Sequence, residues 1–170
     1  PWADGLDGNS HMFANMALPS VEVTEAEQPI SVLAFEFVPD KAGAGKWRGG
    51  VPYMRDYRLD TEEATLQVRS DRKTFRPFGL YGGSPGVASE NYLDPGTDRQ
   101  QPLNSKLTRS FKKGEVFRHV HPGGGGYGDP LERDPALVLR DVRNELLSPC
   151  LLYTSPRPQD RTRSRMPPSA

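Results

Sequence analysis

An acidic and a basic residue stand next to each other at Asp71 and Arg72, where an alternating segment gives way to a loop rich in glycine. A carboxylate can accept a proton during a reaction, and a guanidinium can stabilise developing negative charge. The same two side chains can instead pair with each other and fix the loop. We therefore take Asp71 and Arg72 as candidate catalytic residues, with a structural salt bridge or turn hydrogen bond as the alternative.

Two further arginines, Arg48 and Arg55, lie on either side of Gly49 and Gly50. Guanidinium groups bind carboxylates and phosphates through paired N–H donors, and they equally tie backbone carbonyls together within a loop. We predict that Arg48 and Arg55 bind substrate. The loop-fixing role stays open for both.

The segment from Gly123 to Gly128 has the spacing of a loop that binds dinucleotides, which is a weak pattern on its own. Such a site needs the glycine turn to open directly into a helix, whereas Pro130 intervenes and the helix is predicted to start at Asp134. We favour a structural interpretation, in which the run adopts positive φ angles and threads closely between packed segments. In the alternative, an anionic substrate contacts the loop at Gly124, Gly125 and Gly126.

His119 and His121 are two residues apart, so both lie on one face if the segment is a strand. Two imidazoles fill half of the coordination sphere of a zinc site, and no carboxylate stands at a supporting spacing. We interpret the pair as surface or loop histidines and predict no metal site in this chain. Gly45-Lys46 lacks the remaining residues of a phosphate-binding loop, so we predict that the chain itself binds no cofactor.

Short strands are the elements that must position these side chains. Between Ser20 and Phe37, branched and aromatic residues alternate with polar ones, which predicts strands interrupted near Pro29. Alternation returns from Tyr53 to Leu59 and from Ala64 to Arg69. Two more strands are predicted around the Lys113-Gly114 turn.

One helix is predicted, near the carboxyl terminus. Asp134 suits the N-cap, Pro135 suits the first helical position, and apolar residues recur every four positions at Val138, Val142 and Leu146. A helix from Asp134 to Leu147 should pack this stripe on the strands. The predicted class is therefore α+β: a β-rich mixed fragment with short antiparallel strands, glycine-rich loops and one carboxy-terminal helix.

The composition argues against several kinds of partner. The 22 basic and 22 acidic side chains give a formal net charge of zero, and the charges are dispersed, so neither nucleic acid nor a membrane surface is implied. No apolar run approaches the length that spans a bilayer. A single cysteine, Cys150, permits no intrachain disulfide, which favours a reducing compartment; we expect a cytoplasmic protein.

Several motifs, taken in order over nearly all of residues 2 to 149, resemble the hydantoinase B family. This family includes the B half of 5-oxoprolinases, N-methylhydantoinase B subunits and the alpha subunits of ketone carboxylases. Each motif is weak alone, but the ordered set is specific. The segments that carry the resemblance are Val21-Glu22 with Glu25, Asp40 with Gly43–Gly50, Arg55 with Arg58, Ser70–Arg72, Pro77–Gly83 and Gly123–Pro135.

The resemblance implies one subunit of an ATP-using amidohydrolase. In such an enzyme a hydantoinase A-type partner phosphorylates a cyclic imide or lactam oxygen, and the B subunit helps water to open the ring. ATP and a divalent metal are expected in the full complex, with the metal ligands in a part of the subunit that this chain lacks, so the chain should be inactive alone. Two alternatives stay open: the alpha subunit of a ketone carboxylase of the acetone type, and a purely structural docking segment.

The resemblance ends at Pro149. From Cys150 to Pro156 the sequence matches the translation of an adapter used in sequencing libraries, whereas the family pattern continues into an alanine-containing segment. We therefore expect residues 1–149 to form the carboxy-terminal part of a hydantoinase B/oxoprolinase domain. Residues 150–170 are expected to be a disordered tail of non-native sequence, with a genuine disordered terminus as the alternative.

Overall fold

The computed structural model of the chain describes residues 1–9 and 18–150. The expected tail therefore lies outside the described residues, except for Cys150. The described part combines antiparallel strands with separate helices, which confirms the predicted α+β class. In chain order its elements are α1 (Val21–Glu27), β1 (Ile30–Phe37), β2 (Tyr53–Leu59), β3 (Glu63–Arg69), β4 (Glu90–Leu93), β5 (Gln101–Pro102), β6 (Lys106–Lys112), β7 (Val116–Val120), a 3-10 turn (Pro130–Glu132) and α2 (Pro135–Arg143).

The prediction of a strand before Pro29 is wrong, because residues Val21–Glu27 form helix α1. The hydroxyl oxygen of Ser20 caps this helix by accepting a hydrogen bond from the backbone N–H of Val23 at 3.3 Å. The alternation that suggests a strand rests on Val21 and Val23 alone, and three glutamates that favour helix lie within the same segment. A cap and helix-forming residues thus outweigh two β-branched side chains.

Five strands form one sheet in the order β1-β2-β7-β4-β5, and β3 pairs with β6 in a separate two-stranded sheet. The predicted strands on either side of Lys113-Gly114 are confirmed as β6 and β7. They do not pair with each other, since β6 joins β3 whereas β7 lies between β2 and β4. The turn therefore transfers the chain from one sheet to the other.

The glycine-rich segment that starts at Arg76 is irregular until β4 begins at Glu90, and the sequence indicates neither β4 nor β5.

The apolar core lies where the two-stranded sheet covers one end of the five-stranded sheet. Burying each large apolar side chain there stabilises the fold by about 1.5–3 kcal/mol before conformational entropy is counted. The core leaves the other end of the same sheet face free for polar residues. Its buried members are Leu59, Val68, Leu93, Leu103, Phe111 and Phe117.

Helix α2 starts as predicted, with the Asp134 carboxylate accepting a hydrogen bond from the N–H of Ala136 at 2.9 Å, but it ends at Arg143 instead of Leu147. Glu145 has a φ of 58°, which is incompatible with continuation of the helix. The predicted apolar stripe is only partly buried, and Leu139 is half exposed. The buried residue of the helix is Asp141, at 1% exposure, so ion pairs rather than apolar packing hold the helix in place.

Candidate functional site

Strands β2 and β7 bring Arg55 opposite His119 in the middle of the five-stranded sheet. Because side chains alternate along a strand, Tyr53 and Arg55 point to the same face as His119 and His121. The ring centroids of the two histidines are 4.4 Å apart, which confirms that they share a face. Both are half-buried; His119 lies within β7, so the surface or loop interpretation is wrong for it, whereas His121 follows the end of β7 and lies in a loop, as that interpretation allows.

Aromatic rings surround the Arg55 guanidinium. Its central carbon lies 6.0 Å from the ring centroid of Phe35, 5.3 Å from that of Tyr53 and 5.7 Å from that of Tyr57. Its Nε atom is buried and has no hydrogen-bond acceptor among the described residues. One Nη donates towards His121 Nε2 at 3.4 Å, and no carboxylate of the described residues forms an ion pair with Arg55. A cation is thus held beside neutral groups only.

A chain of hydrogen bonds orients the imidazole of His119. The Asn91 side chain donates through Nδ2 to Ser70 Oγ at 2.9 Å, and Ser70 Oγ donates to the carbonyl of Ser105. The Asn91 oxygen is therefore the acceptor that faces His119 Nδ1, at 2.7 Å. Neutral His119 consequently carries its proton on Nδ1.

Both histidines are held in the neutral form. Burial lowers the pKa of His119 to about 4, helped by the positive charge of Arg55. Burial likewise lowers the pKa of His121 to about 3, with further contributions from His119 and Arg55. Since an arginine only donates hydrogen bonds, His121 accepts from Arg55 through Nε2 and carries its own proton on Nδ1.

Arg55 and His121 line a cavity of about 700 Å³. Tyr53 forms another part of its wall, and the backbones of Gly50 and Gly124 complete the side next to the glycine-rich loops. A smaller recess of about 260 Å³, lined by Phe35, Phe37 and Tyr53 among others, shares the Tyr53 wall. The cavity therefore has a cationic end and an aromatic end, which is the pattern of a small-molecule site.

The glycine-rich loops pack backbone against backbone beside this cavity. The N–H of Gly124 donates to the carbonyl of Gly50 at 2.9 Å, and the carbonyl of Gly124 accepts from Gly43 at 2.8 Å. A Cβ atom on Gly124 would lie 2.6 Å from the amide nitrogen of Gly50. On Gly125 it would overlap the carbonyl oxygen of Phe78, and on Gly126 that of Ala44.

The close threading predicted for this loop is thus confirmed, but the positive φ predicted for the run is wrong for Gly123–Gly126. Within the segment 123–128, the positive φ belongs to Gly128, at 76°. Glycine is required at Gly125 by lack of space rather than by backbone conformation. Binding of an anionic substrate by Gly124, Gly125 and Gly126 stays a prediction, and among these three it is Gly124 that lines the cavity with Arg55.

Arg48 lies in a different environment, at 8% exposure. Its Nε donates to Asp141 at 3.2 Å, and Nη1 donates to Asp7 at 2.7 Å and to the carbonyl of Gly49 at 2.6 Å. Its Nη2 donates to both carboxylates, so all five N–H groups have acceptors. Burial alone would lower the pKa of Arg48, but the ion pairs with Asp7 and Asp141 outweigh it and raise that pKa above its ordinary value.

Arg133 extends this arrangement into a network. It donates to Asp4 at 2.6 Å and to Asp141 at 2.7 Å, so Asp141 lies between two arginines. Burial alone would raise the pKa of Asp4, but its hydrogen bonds from Arg133 and from the backbone of Arg48 outweigh it and lower that pKa below the usual 3.8. The network joins the amino-terminal residues, the glycine-rich loops and helix α2. Substrate binding by Arg48 stays a prediction, although its donors already have acceptors within the fold.

Neither Asp71 nor Arg72 lines the Arg55 cavity, and Asp71 instead lines a separate recess beside β3 and β6. The Asp71 side chain is 88% exposed and lies 3.9 Å from Lys106 rather than pairing with Arg72, whereas the backbone carbonyls of Asp71 and Arg72 accept hydrogen bonds from Ser89. Arg72 is exposed and has a φ of 63°, in a backbone region that residues with side chains rarely adopt. Their catalytic role stays a prediction.

Sequence reasoning missed two residues of the cavity region. Tyr53 stands two positions before Arg55 in the same alternating segment, so the strand periodicity could have assigned it to the same face. Asn91 gives no such signal, because it lies at the end of a segment whose glycines and prolines predict a loop. Its partnership with His119 depends on the pairing of β4 with β7.

A divalent metal does not fit the described residues. No group of three or more His, Cys, Asp or Glu side chains is arranged to hold a metal ion within residues 1–9 and 18–150. His119 and His121 offer two nitrogens, but the adjacent Arg55 guanidinium would repel a cation. Neither of the described helices has the length and apolar character needed to span a bilayer.

The amino-acid sequence matches a known family over most of its length. The profile described as hydantoinase B/oxoprolinase matches residues 1–130. A putative D-/L-hydantoinase B subunit from a Pseudomonas species is 34% identical over 140 residues, which are 81% of this chain and 24% of that protein. The caprolactamase beta subunit of Pseudomonas jessenii is 33% identical over 146 residues, covering 80% of this chain and 24% of that protein. The chain thus spans about a quarter of the length of these curated relatives.

Two solved structures resemble the fold. The ATP-dependent caprolactamase from Pseudomonas jessenii superposes with a TM-score of 0.64 at 27% identity, over 76% of this chain and 23% of that chain. A nucleotide-free acetone carboxylase superposes with a TM-score of 0.73 over 88% of this chain and 24% of that chain. At 18% identity, the second likeness shows the fold alone.

Proposed function

Because the chain belongs to the hydantoinase B/oxoprolinase family, we propose that it is part of the B subunit of an ATP-dependent enzyme that opens hydantoin or 5-oxoproline-type rings. The observation that carries this proposal is the family match over residues 1–130. Relatives named as a hydantoinase B subunit, a 5-oxoprolinase and a caprolactamase beta subunit support a cyclic amide as the substrate class.

The complete enzyme in this proposal contains a hydantoinase A-type partner. The relatives named as B and beta subunits support a partner chain, and the solved caprolactamase described as ATP-dependent supports a need for ATP. We assign ATP and the divalent metal to other parts of the complex, because the described residues do not form a metal donor set. A cytoplasmic location belongs to the same proposal.

The role that the described residues support is binding and orientation. Hydrolysis of a cyclic amide adds water across the C–N bond and yields a carboxylate and an amine. The cavity at Arg55 offers a cation with an unsatisfied donor, the neutral imidazole of His121 with that of His119 behind it, and the ring of Tyr53. Such groups hold and neutralise an anionic group, whereas the low pKa values leave the histidines weakly basic at neutral pH.

The test is to express the complete B-type gene with its A-type partner and to measure ring opening of 5-oxoproline, hydantoin and caprolactam with and without ATP. We expect hydrolysis of at least one of these that depends on ATP, and none from the 170-residue chain alone. A complex that leaves every cyclic amide intact but carboxylates acetone with bicarbonate would replace the proposal with the carboxylase alternative. Full activity in Arg55→Met, together with separation of the two subunits when residues 1–149 are deleted, would favour the docking role for this segment.

A further inference from the structure

We propose that the cavity at Arg55 is a binding site for a carboxylate attached to a small, partly apolar body. This inference rests on the proposed function and deepens it, because opening a cyclic amide creates a carboxylate and 5-oxoproline already carries one. Its basis is the contrast between the charge of Arg55 and the neutrality of every group that the described residues place around it.

The described residues give this cation no anionic partner. Arg55 makes no ion pair within them, and its Nε donor is buried without an acceptor. The rest of the sequence offers little: residues 10–17 contain no Asp or Glu, and residues 151–170 contain Asp160 alone. Leaving a charged group without a counter-charge is costly, so an external anion that reaches the guanidinium from the cavity would be bound favourably.

The neighbouring groups suit an anion better than a second cation. His121 accepts from Arg55 through Nε2 and therefore presents an N–H at Nδ1, while Asn91 fixes the His119 ring. Both imidazoles stay uncharged, since protonation beside Arg55 would place two positive charges together. A bound carboxylate would meet one positive charge and no negative one.

The shape of the cavity selects for small ligands. Its volume of about 700 Å³ lies in the range of small-molecule sites. The adjoining recess contains the rings of Phe35, Phe37 and Tyr53 beside Asp7 and Glu36, and Phe35 and Phe37 are 48% and 49% exposed. A ligand with its carboxylate at Arg55 can place hydrocarbon against these rings and cover apolar surface.

The test compares two probes that differ by one carboxylate. The 170-residue chain, with labelled histidines, is titrated with 5-oxoproline and with pyrrolidin-2-one, the same lactam without the acid, while NMR follows the imidazoles of His119 and His121. We expect saturable shifts with 5-oxoproline and none with pyrrolidin-2-one. If the cavity holds the product, glutamate, which is the ring-opened form of 5-oxoproline, should bind as well. If glutamate does not bind, the cavity is specific for the carboxylate of the substrate, 5-oxoproline. Equal shifts with both lactams, or binding of inorganic phosphate but of neither carboxylate, would overturn the proposal.

Variants locate the binding within the molecule. Arg55→Met should weaken 5-oxoproline binding by about tenfold or more, because a charge-assisted hydrogen bond is lost, whereas Arg55→Lys should retain part of it. Arg58→Met is the matched control: Arg58 lies on the opposite face of β2, paired with Asp60, and its loss should leave binding within about twofold. Unchanged binding in folded Arg55→Met would sink the proposal. These measurements need neither ATP nor a partner, so their failure is distinguishable from an absence of ring opening in the complete complex.

Discussion

Arg48 and Arg55 lie seven positions apart and are both predicted to bind substrate, yet their surroundings are opposite. Arg48 is held by the carboxylates of Asp7 and Asp141 and by a backbone carbonyl, so every donor is used. Arg55 has aromatic rings and neutral histidines around it and a buried donor without an acceptor. The residue type is the same in both cases. What separates a structural arginine from a candidate binding residue is whether the fold supplies its counter-charge.

The largest effect on stability is expected from removing the negative charge of Asp141, which pairs with Arg48. Asp141→Asn leaves Arg48 and Arg133 sharing fewer carboxylates in a buried setting, and breaking a buried ion pair costs about 3–5 kcal/mol. We expect the free energy of unfolding, measured by urea denaturation, to fall by about that amount. Asp60→Asn is the control on an exposed pair and should change stability by less than about 1 kcal/mol. A similar loss in both variants would remove the distinction between the network and a surface pair.

The next largest effect on stability is expected in the glycine-rich loops, which contact both arginines. The carbonyl of Gly49 accepts a hydrogen bond from Arg48, and Gly124 lines the Arg55 cavity. Gly125→Ala would push a methyl group into the Phe78 carbonyl, so we expect about 1–3 kcal/mol of destabilisation. Gly96→Ala is the control, because Gly96 has a φ of 74° and open space around its Cβ position. It should lose about 1 kcal/mol from backbone strain alone. If Gly125→Ala melts like the unsubstituted chain but turnover in the complete complex collapses, the loop serves the substrate rather than the fold.

The histidines beside Arg55 and the ion-pair network around Arg48 should lose their contributions to stability at different pH values. The pKa values of His119 and His121 are about 4 and about 3 when folded, against 6.5 for a free imidazole, so the unfolded chain binds more protons between about pH 6.5 and 4. Stability should therefore fall as the pH falls through that window, and His121→Gln should flatten the slope. The pKa of Asp4 is lowered from 3.8, so the contribution of the network is lost only at more acidic pH. A flat stability profile between pH 6.5 and 4 in the unsubstituted chain would contradict the neutral, buried state of the histidines.

The smallest effect on stability is expected at Asp71. Its side chain is 88% exposed and 3.9 Å from Lys106, so Asp71→Asn should change the free energy of unfolding by less than about 0.5 kcal/mol. In the complete complex, the predicted catalytic role requires a large fall in kcat with unchanged melting. Unchanged kcat would instead leave Arg55 as the better functional candidate of the predicted set.

Much of the local structure follows from short-range rules that the sequence displays. The strands at Tyr53–Leu59 and Glu63–Arg69 follow from alternation, and the start of α2 follows from Asp134 and Pro135. Helix α1 escapes prediction because a cap at Ser20 outweighs two valines, and the two-residue pairing of β5 is too short to leave a pattern. These errors involve few residues, for which local preference is weak.

The sequence by itself determined the family, the α+β class and the face shared by His119 and His121, because motif order and strand periodicity are properties of the linear chain. Only the tertiary structure decided which arginine keeps its charge available. Asp141 reaches Arg48 across 93 positions, whereas β7 brings neutral histidines to Arg55 across 64 and 66. Counter-charge depends on distance in space, and contacts between residues so far apart in the chain are set by packing rather than by any local pattern.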